Sequence, residues 1–328
     1  MRKLIAILLC LLAMVSCNRD TPAASDKKTV ALVLKTLNHP FFVDMRRGAQ
    51  DAADRLGVNL QVQAAEREID VDKQMQIVEN MLQTGIDVLA ITPSGSREIV
   101  TALAKASSAN VPIIIVDTRL DAKAAADAGV KPRTFIGSDN YEGGKLAGEY
   151  VVALTKGKAQ VGILEGIPGH ETGDSRLRGF RDAVANAPGI RIVASQPANW
   201  ERDQGFNVFQ NMLQANPGID TVFAASDLMA LGAIEAIAAS GHRGKIHVVG
   251  FDALDDAKKA IAAGRMSASV AQFPYEMGKA AVESAVKVLA GETLPADIMV
   301  KLEMVTSTSA KASSTSAKAS ADRKTGAQ

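Results

Sequence analysis

Residues able to grip a polar ligand stand just after short apolar runs. Val248-Val249-Gly250 leads into Phe251-Asp252, and Thr29–Lys35 leads into Asn38-His39-Pro40-Phe41-Phe42. Glu66-Arg67 follows the next run, and Asp117-Thr118-Arg119 follows Ile113–Val116. In the second half, Arg176, Trp200, Ser226-Asp227 and Gln272 occupy comparable points. Such a set suits a neutral, polyhydroxylated ligand: aromatic rings cover the C–H face, while ionised side chains make charge-assisted hydrogen bonds to hydroxyls. Asp117, Asp252 and Arg176 would also offset one another's desolvation. Singly, each has a plainer role. Phe41 and Phe42 suit a core, Trp200 a loop plug, Arg176 a solvated helix face and Asp252 a helix cap. Their common place at the ends of apolar runs raises the joint case above the single ones.

The elements that must position these residues are legible from periodicity. Thr29–Lys35 is a near-continuous apolar run, as a strand buried on both faces requires. Pro40–Leu56 then has helical spacing, and Gly57 stops it. The unit repeats as strands Val58–Ala64, Val88–Ile91 and Ile113–Val116, with helices Val71–Gln83 and Arg97–Ala109 between them. After Thr134–Gly137 a second series begins. It comprises helices Tyr141–Leu154, Ser175–Ala187, Arg202–Ala215 and Leu228–Ala239, and strands Gln160–Glu165, Ile190–Ser195, Thr221–Ala224 and Ile246–Phe251. A helix-like Ala253–Ala263, the strand-like Ala268–Ala271, helix Glu276–Leu289 and a strand-like Met299–Met304 close the pattern. Such alternation implies an α/β fold with right-handed crossovers and parallel sheets. In an open sheet of this kind, ligands are met at the carboxyl ends of the strands. Two halves of similar size follow one another, with a boundary near Ser138 and no Pro- or Ser-rich linker.

The chain has 328 residues, 47% hydrophobic and 22% charged, which is ample for two domains. A formal net charge of +1 offers no electrostatic case for nucleic acid or a membrane surface. Residues 1–17 read as an export signal: Arg2 and Lys3, an apolar run too short to span a bilayer, then Met14-Val15-Ser16-Cys17 in the manner of a lipobox. Cys17 is the expected lipidation site, and the acyl anchor the expected membrane contact. The two cysteines, Cys10 and Cys17, both lie in this segment, so no disulfide framework is expected. Residues 306–328 are Ser/Thr/Ala/Lys-rich, with Thr308–Ser313 recurring as Thr315–Ser320, and read as a disordered tail. The histidines His39, His170, His242 and His247 show no metal-ligand spacing, so neither a metal nor a cofactor is expected. Dinucleotide, P-loop and nucleophile-elbow motifs do not occur, which argues against an enzyme.

From about Lys28 to Val305 the chain resembles bacterial ribose-binding proteins, type I periplasmic solute-binding proteins related to the cores of LacI-type repressors. The matches are Thr36-Leu37-Asn38-His39-Pro40-Phe41-Phe42, Gly137-Ser138-Asp139-Asn140, Arg176-Leu177-Arg178-Gly179-Phe180 and Ser195-Gln196-Pro197-Ala198. Met229-Ala230-Leu231-Gly232-Ala233, Val248-Val249-Gly250-Phe251-Asp252 and Ala271-Gln272 continue them in the same order. The resemblance implies two Rossmann-like lobes with parallel sheets, joined by three hinge crossings near Ser138, Phe273 and the last strand. The implied lobes are residues 28–138 with 274–300, and 139–273 with 301–305. It further implies a sugar held between them by Phe41, Phe42, Asp117, Arg176, Phe251, Asp252 and Gln272, with Trp200 where the family has an aromatic.

Four positions depart from the ribose pattern. His39, Thr92 and Ser226 stand where ribose binders have Asn, and Thr118 replaces Arg, with Arg119 beside it. Sites built around particular hydroxyls reject analogues strongly, so the departures point to another monosaccharide or polyol, such as a ketose, a hexose or an inositol. Glu66 and Arg67 are candidates for the missing polar contacts.

The implied function is an exported, monomeric receptor that presents its sugar to an ABC permease. A ligand-binding subunit for a chemoreceptor or sensor kinase would use the same cleft. A repressor would need a DNA-binding domain ahead of the core, where the signal segment stands.

Overall fold

A computed structural model describes residues 27–241 and 246–308. The signal segment with Cys17, residue His242 and the repeats of the tail lie outside the described residues. In chain order the elements begin β1 (Thr29–Thr36), α1 (Pro40–Leu56), β2 (Asn59–Ala65), α2 (Val71–Gln83), β3 (Val88–Ile91), α3 (Val100–Ser108) and β4 (Ile113–Val116). There follow α4 (Ala122–Asp127), β5 (Thr134–Gly137), α5 (Asn140–Thr155), β6 (Lys158–Glu165), α6 (Glu171–Val184), β7 (Gly189–Pro197), α7 (Arg202–Ala215) and β8 (Thr221–Ala224). The last are α8 (Asp227–Ala239), β9 (His247–Asp252), α9 (Asp255–Ala262), β10 (Ala268–Ala271), α10 (Pro274–Leu289), β11 (Asp297–Met299) and β12 (Glu303–Thr306).

Two six-stranded sheets result, ordered β2-β1-β3-β4-β5-β11 and β7-β6-β8-β9-β10-β12. In its first five strands the second repeats the first, so the two halves share one topology up to their outermost strand. All pairings are parallel except β10 with β12. The chain crosses between sheets after β5, after β10 and between β11 and β12.

The inner strands of each sheet are buried on both faces, which is why they read as continuous apolar runs. Val30, Leu32 and Leu34 of β1 join the core under α1 and α10, while Ala31 and Val33 face the core under α2 and α3. Helix α1 starts on Pro40 after His39, whose ring nitrogen accepts from the Phe41 amide at 3.1 Å. Helices α5 and α6 approach closely because both carry glycine at the contact. A Cβ at Gly144 would lie 2.0 Å from the Arg176 carbonyl, and one at Gly179 would lie 1.9 Å from that of Tyr141. This contact fixes the helix from which Arg176 reaches the cleft.

Four expectations change. Met299–Met304 is not one strand but two, since the third crossing falls within it and sends β11 and β12 to different sheets. The short helix α4 was not evident in the sequence. Helix α6 begins a turn earlier than its apolar spacing suggests, because its first turn is polar. The tail starts later than residue 306, since Thr306 pairs with Ala268 in β12.

Candidate functional site

The carboxyl ends of β1, β4, β8, β9 and β10 converge on one cleft between the lobes. It encloses about 320 Å³, mouth included, and is lined by Lys35, His39, Phe41, Phe42, Glu68 and Asp117 from the first lobe. Thr172, Arg176, Trp200, Ser226, Asp252 and Gln272 complete the lining. Phe41 and Phe42 meet edge to face at 5.2 Å, and His39 adds a ring 5.7 Å from Phe42.

Each lobe supplies a charge cluster. In the first, Lys35 Nζ lies 3.3 Å from Asp117 and 3.7 Å from Glu68, with its side chain only 3% exposed. In the second, Arg176 Nη1 lies 3.7 Å from Asp252 Oδ1, donates to the Ala225 carbonyl at 2.7 Å, and its Nε donates to Asn140 at 2.9 Å. Gln272 Nε2 donates to Asp252 at 2.8 Å. Burial pushes the His39 imidazole down to about 4, with Lys35 adding to the effect, so the ring is neutral. Burial pushes the Glu68 carboxyl up to about 7 against the pull of Lys35. Asp252 is raised by burial too, opposed by Arg176 and by the Gln272 hydrogen bond.

Asp117, Trp200 and Asp252 have φ of 65°, 67° and 107°, in the left-handed region that costs an L-residue of order 1–3 kcal/mol. Two buried polar atoms of lining residues, Trp200 Nε1 and Gln272 Oε1, have no protein partner. Such atoms cost about 1–3 kcal/mol each unless something supplies a hydrogen bond. The lobes also touch directly. Thr118 and Thr172 hydroxyls lie 3.1 Å apart, the Glu171 amide donates to Ser96 Oγ at 3.1 Å, and His170 Nε2 lies 3.4 Å from the Pro93 carbonyl.

Of the residues the resemblance implies around the sugar, Phe41, Phe42, Asp117, Arg176, Trp200, Asp252 and Gln272 line this cleft, and so do His39 and Ser226 among the strand-end candidates. Phe251 does not. The Arg176 guanidinium covers its ring at 3.7 Å, so Phe251 supports the arginine rather than presenting a face to the cleft. Thr92 is also hidden, its hydroxyl accepting from the Lys35 amide at 3.0 Å. Thr118 sits behind the wall and donates to Asp117 at 2.9 Å. Arg119 turns away, stacking on Phe135 at 3.7 Å and pairing with Asp297 at 2.8 Å.

Glu66 and Arg67 lie at an adjoining chamber of about 430 Å³, which shares His39, Glu68 and Trp200 with the cleft. There Arg67 pairs with Glu201 of the other lobe at 3.3 Å. Lys35, Glu68 and Thr172 escaped the sequence reading. A lysine closing an apolar run that is buried on both faces was the available signal for Lys35; Glu68 and Thr172 carried none.

Two lobes of one topology, closing a polar and aromatic cleft at their strand ends, define a solute-binding protein of the type I periplasmic fold. The chain belongs to the family described as periplasmic binding protein domain, whose model matches residues 30–293. It is 40% identical over 282 residues to the ribose import binding protein RbsB of Escherichia coli (strain K12), covering 86% of this chain and 92% of that protein. It is 34% identical over 279 residues to the D-allose-binding periplasmic protein of the same organism, covering 84% and 90%. Among solved structures, an ABC transporter periplasmic solute-binding protein of Actinobacillus succinogenes 130z with bound D-allose superposes with a TM-score of 0.82. That protein is 38% identical, and the match covers 87% of this chain and 99% of that one.

Proposed function

We propose that the protein is the receptor of an ABC sugar importer and binds one monosaccharide or related polyol in the interlobe cleft. The observation that carries this reading is the pair of unpartnered polar atoms, Trp200 Nε1 and Gln272 Oε1, in a wall otherwise made of rings, hydroxyls and paired charged groups. A hydroxylated ligand meets both needs, accepting from the indole and donating to the amide oxygen. Phe41, Phe42 and Trp200 cover the apolar faces of the ring. Asp117, Asp252 and Arg176 bind hydroxyls from opposite lobes, so the ligand favours the closed state by contacts that an open cleft cannot make.

Ribose is not the preferred ligand on this reading, because His39, Thr92, Thr118 and Ser226 replace the side chains of the ribose pattern, and Lys35 and Glu68 add charge. A hexose, a ketose or an inositol is. Export precedes this role, with Cys17 as the acylated anchor, the closed monomer as the form presented to the permease, and no reaction catalysed.

A thermal-shift panel of D-ribose, D-allose, other hexoses, ketohexoses and myo-inositol tests the reading. A bound ligand at about 100 times its Kd adds roughly 2.7 kcal/mol to stability. One six-carbon compound should therefore give a clear upward shift. The largest shift from D-ribose would contradict the specificity, and no shift from any compound would contradict the sugar reading.

A further inference from the structure

Asp227 is fully buried, carries a carboxylate and does not line the cleft. It opens α8, yet its oxygens do not serve the amides of that helix. Oδ2 accepts from the Leu254 amide at 2.8 Å, and Oδ1 accepts from the Ser269 hydroxyl at 2.8 Å. Ser269 Oγ in turn accepts from the Ala253 amide at 2.9 Å. The carboxylate reaches this position because residue 250 is glycine, where a Cβ would come 2.3 Å from Oδ1. The two amides so held belong to the strained turn that leaves Asp252. Asp252 has a φ of 107° and Ala253 a φ of 50°, both costly for residues with a side chain. That strain persists only if the surroundings over-determine it, and Asp227 with Ser269 does so from two different elements.

We propose that Asp227 is a positioning residue for ligand binding, holding the turn at residues 252–254 through Ser269 so that the Asp252 carboxylate meets the sugar. The proposal rests on the reading of Asp252 as a ligand contact. It explains why Asp252 faces Arg176 and Gln272 instead of capping α9, whose N-cap is Leu254 and makes no side-chain cap bond. It also gives Gly250 a role, since any larger residue would displace the Asp227 carboxylate.

A double-mutant cycle tests it, with Kd measured by calorimetry and D-allose as the probe. Asp227→Asn and Asp252→Asn should each weaken binding by about tenfold or more, and the double variant should be within about twofold of Asp252→Asn alone. Losses that simply multiply would overturn the proposal, since a general structural defect has no reason to depend on Asp252. If Asp227→Asn fails to fold, Ser269→Ala takes its place in the same cycle.

Amide exchange of the ligand-free protein is the second readout. In Ser269→Ala, the Ala253 and Leu254 amides should exchange about tenfold faster or more while Val249 in β9 is unchanged. Unchanged exchange at both amides would overturn the proposal. If D-allose does not bind the wild type, that choice of ligand fails, and the exchange rates still decide the positioning role.

Discussion

At the scale of single residues, Glu68 is the charge the cleft supports least. It is 9% exposed, its cation is 3.7 Å away, and Asp117, Asp252 and Glu201 oppose its ionisation. A carboxyl raised from 4.5 to about 7 contributes its full stability below pH 4.5 and loses it as the pH rises through 7. Glu68→Gln removes that loss. Its stability relative to wild type should therefore climb between pH 4.5 and 7 and level off above, by up to about 3 kcal/mol. Urea denaturation across that range measures the slope; a flat difference would show that Glu68 is not strained. The strand-end residues were legible only as a set, because a lone carboxylate, arginine or aromatic after an apolar run serves equally well as a cap, a solvated charge or core. That Phe251 and Arg119 lie off the cleft was not legible, because a sequence position does not say which ring a guanidinium covers. Arg176 took the face of Phe251, and Asp297 drew Arg119 away from the cleft.

At the scale of elements, the α5–α6 contact sets where Arg176 stands. Replacing a helical glycine by alanine ordinarily gains about 1 kcal/mol in helix propensity. At Gly179 the new methyl would meet the Tyr141 carbonyl at 1.9 Å, so Gly179→Ala should instead destabilise by about 1–3 kcal/mol. Chemical denaturation gives the sign, and a gain would contradict the packing described. Strands were read well because parallel sheets buried on both faces leave unbroken β-branched runs such as Ile113–Val116. The failures came where periodicity has nothing to act on. Helix α4 has six residues, the first turn of α6 is polar, and the change of sheet between Met299 and Glu303 leaves no mark in hydrophobicity.

At the scale of the whole molecule, the repeated halves were evident from the sequence, but the contacts that join them were not. Arg67 was a candidate for the ligand and serves as one side of an ion pair across the mouth, with Glu201 opposite. Both partners are substantially exposed, so the pair contributes at most about 1 kcal/mol and is screened by salt. Glu201→Gln should therefore speed sugar release by no more than about fivefold at low salt, with the difference fading near 1 M. Stopped-flow dissociation measures this; a much larger effect would mean that Glu201 touches the ligand. Three chain crossings join the two lobes, the arrangement that a hinge motion requires.

On the proposed reading, one sugar ring sits between Phe41, Phe42 and Trp200, with Asp117 and Asp252 binding it from opposite lobes. A crystal structure of the protein grown with the sugar that gives the largest thermal shift tests this most directly. The expected density is a single ring in the interlobe cleft, with hydroxyls within hydrogen-bond distance of Asp117, Arg176, Asp252 and Gln272 Oε1. A sugar bound elsewhere on the surface, with the cleft closed on water alone, would contradict it.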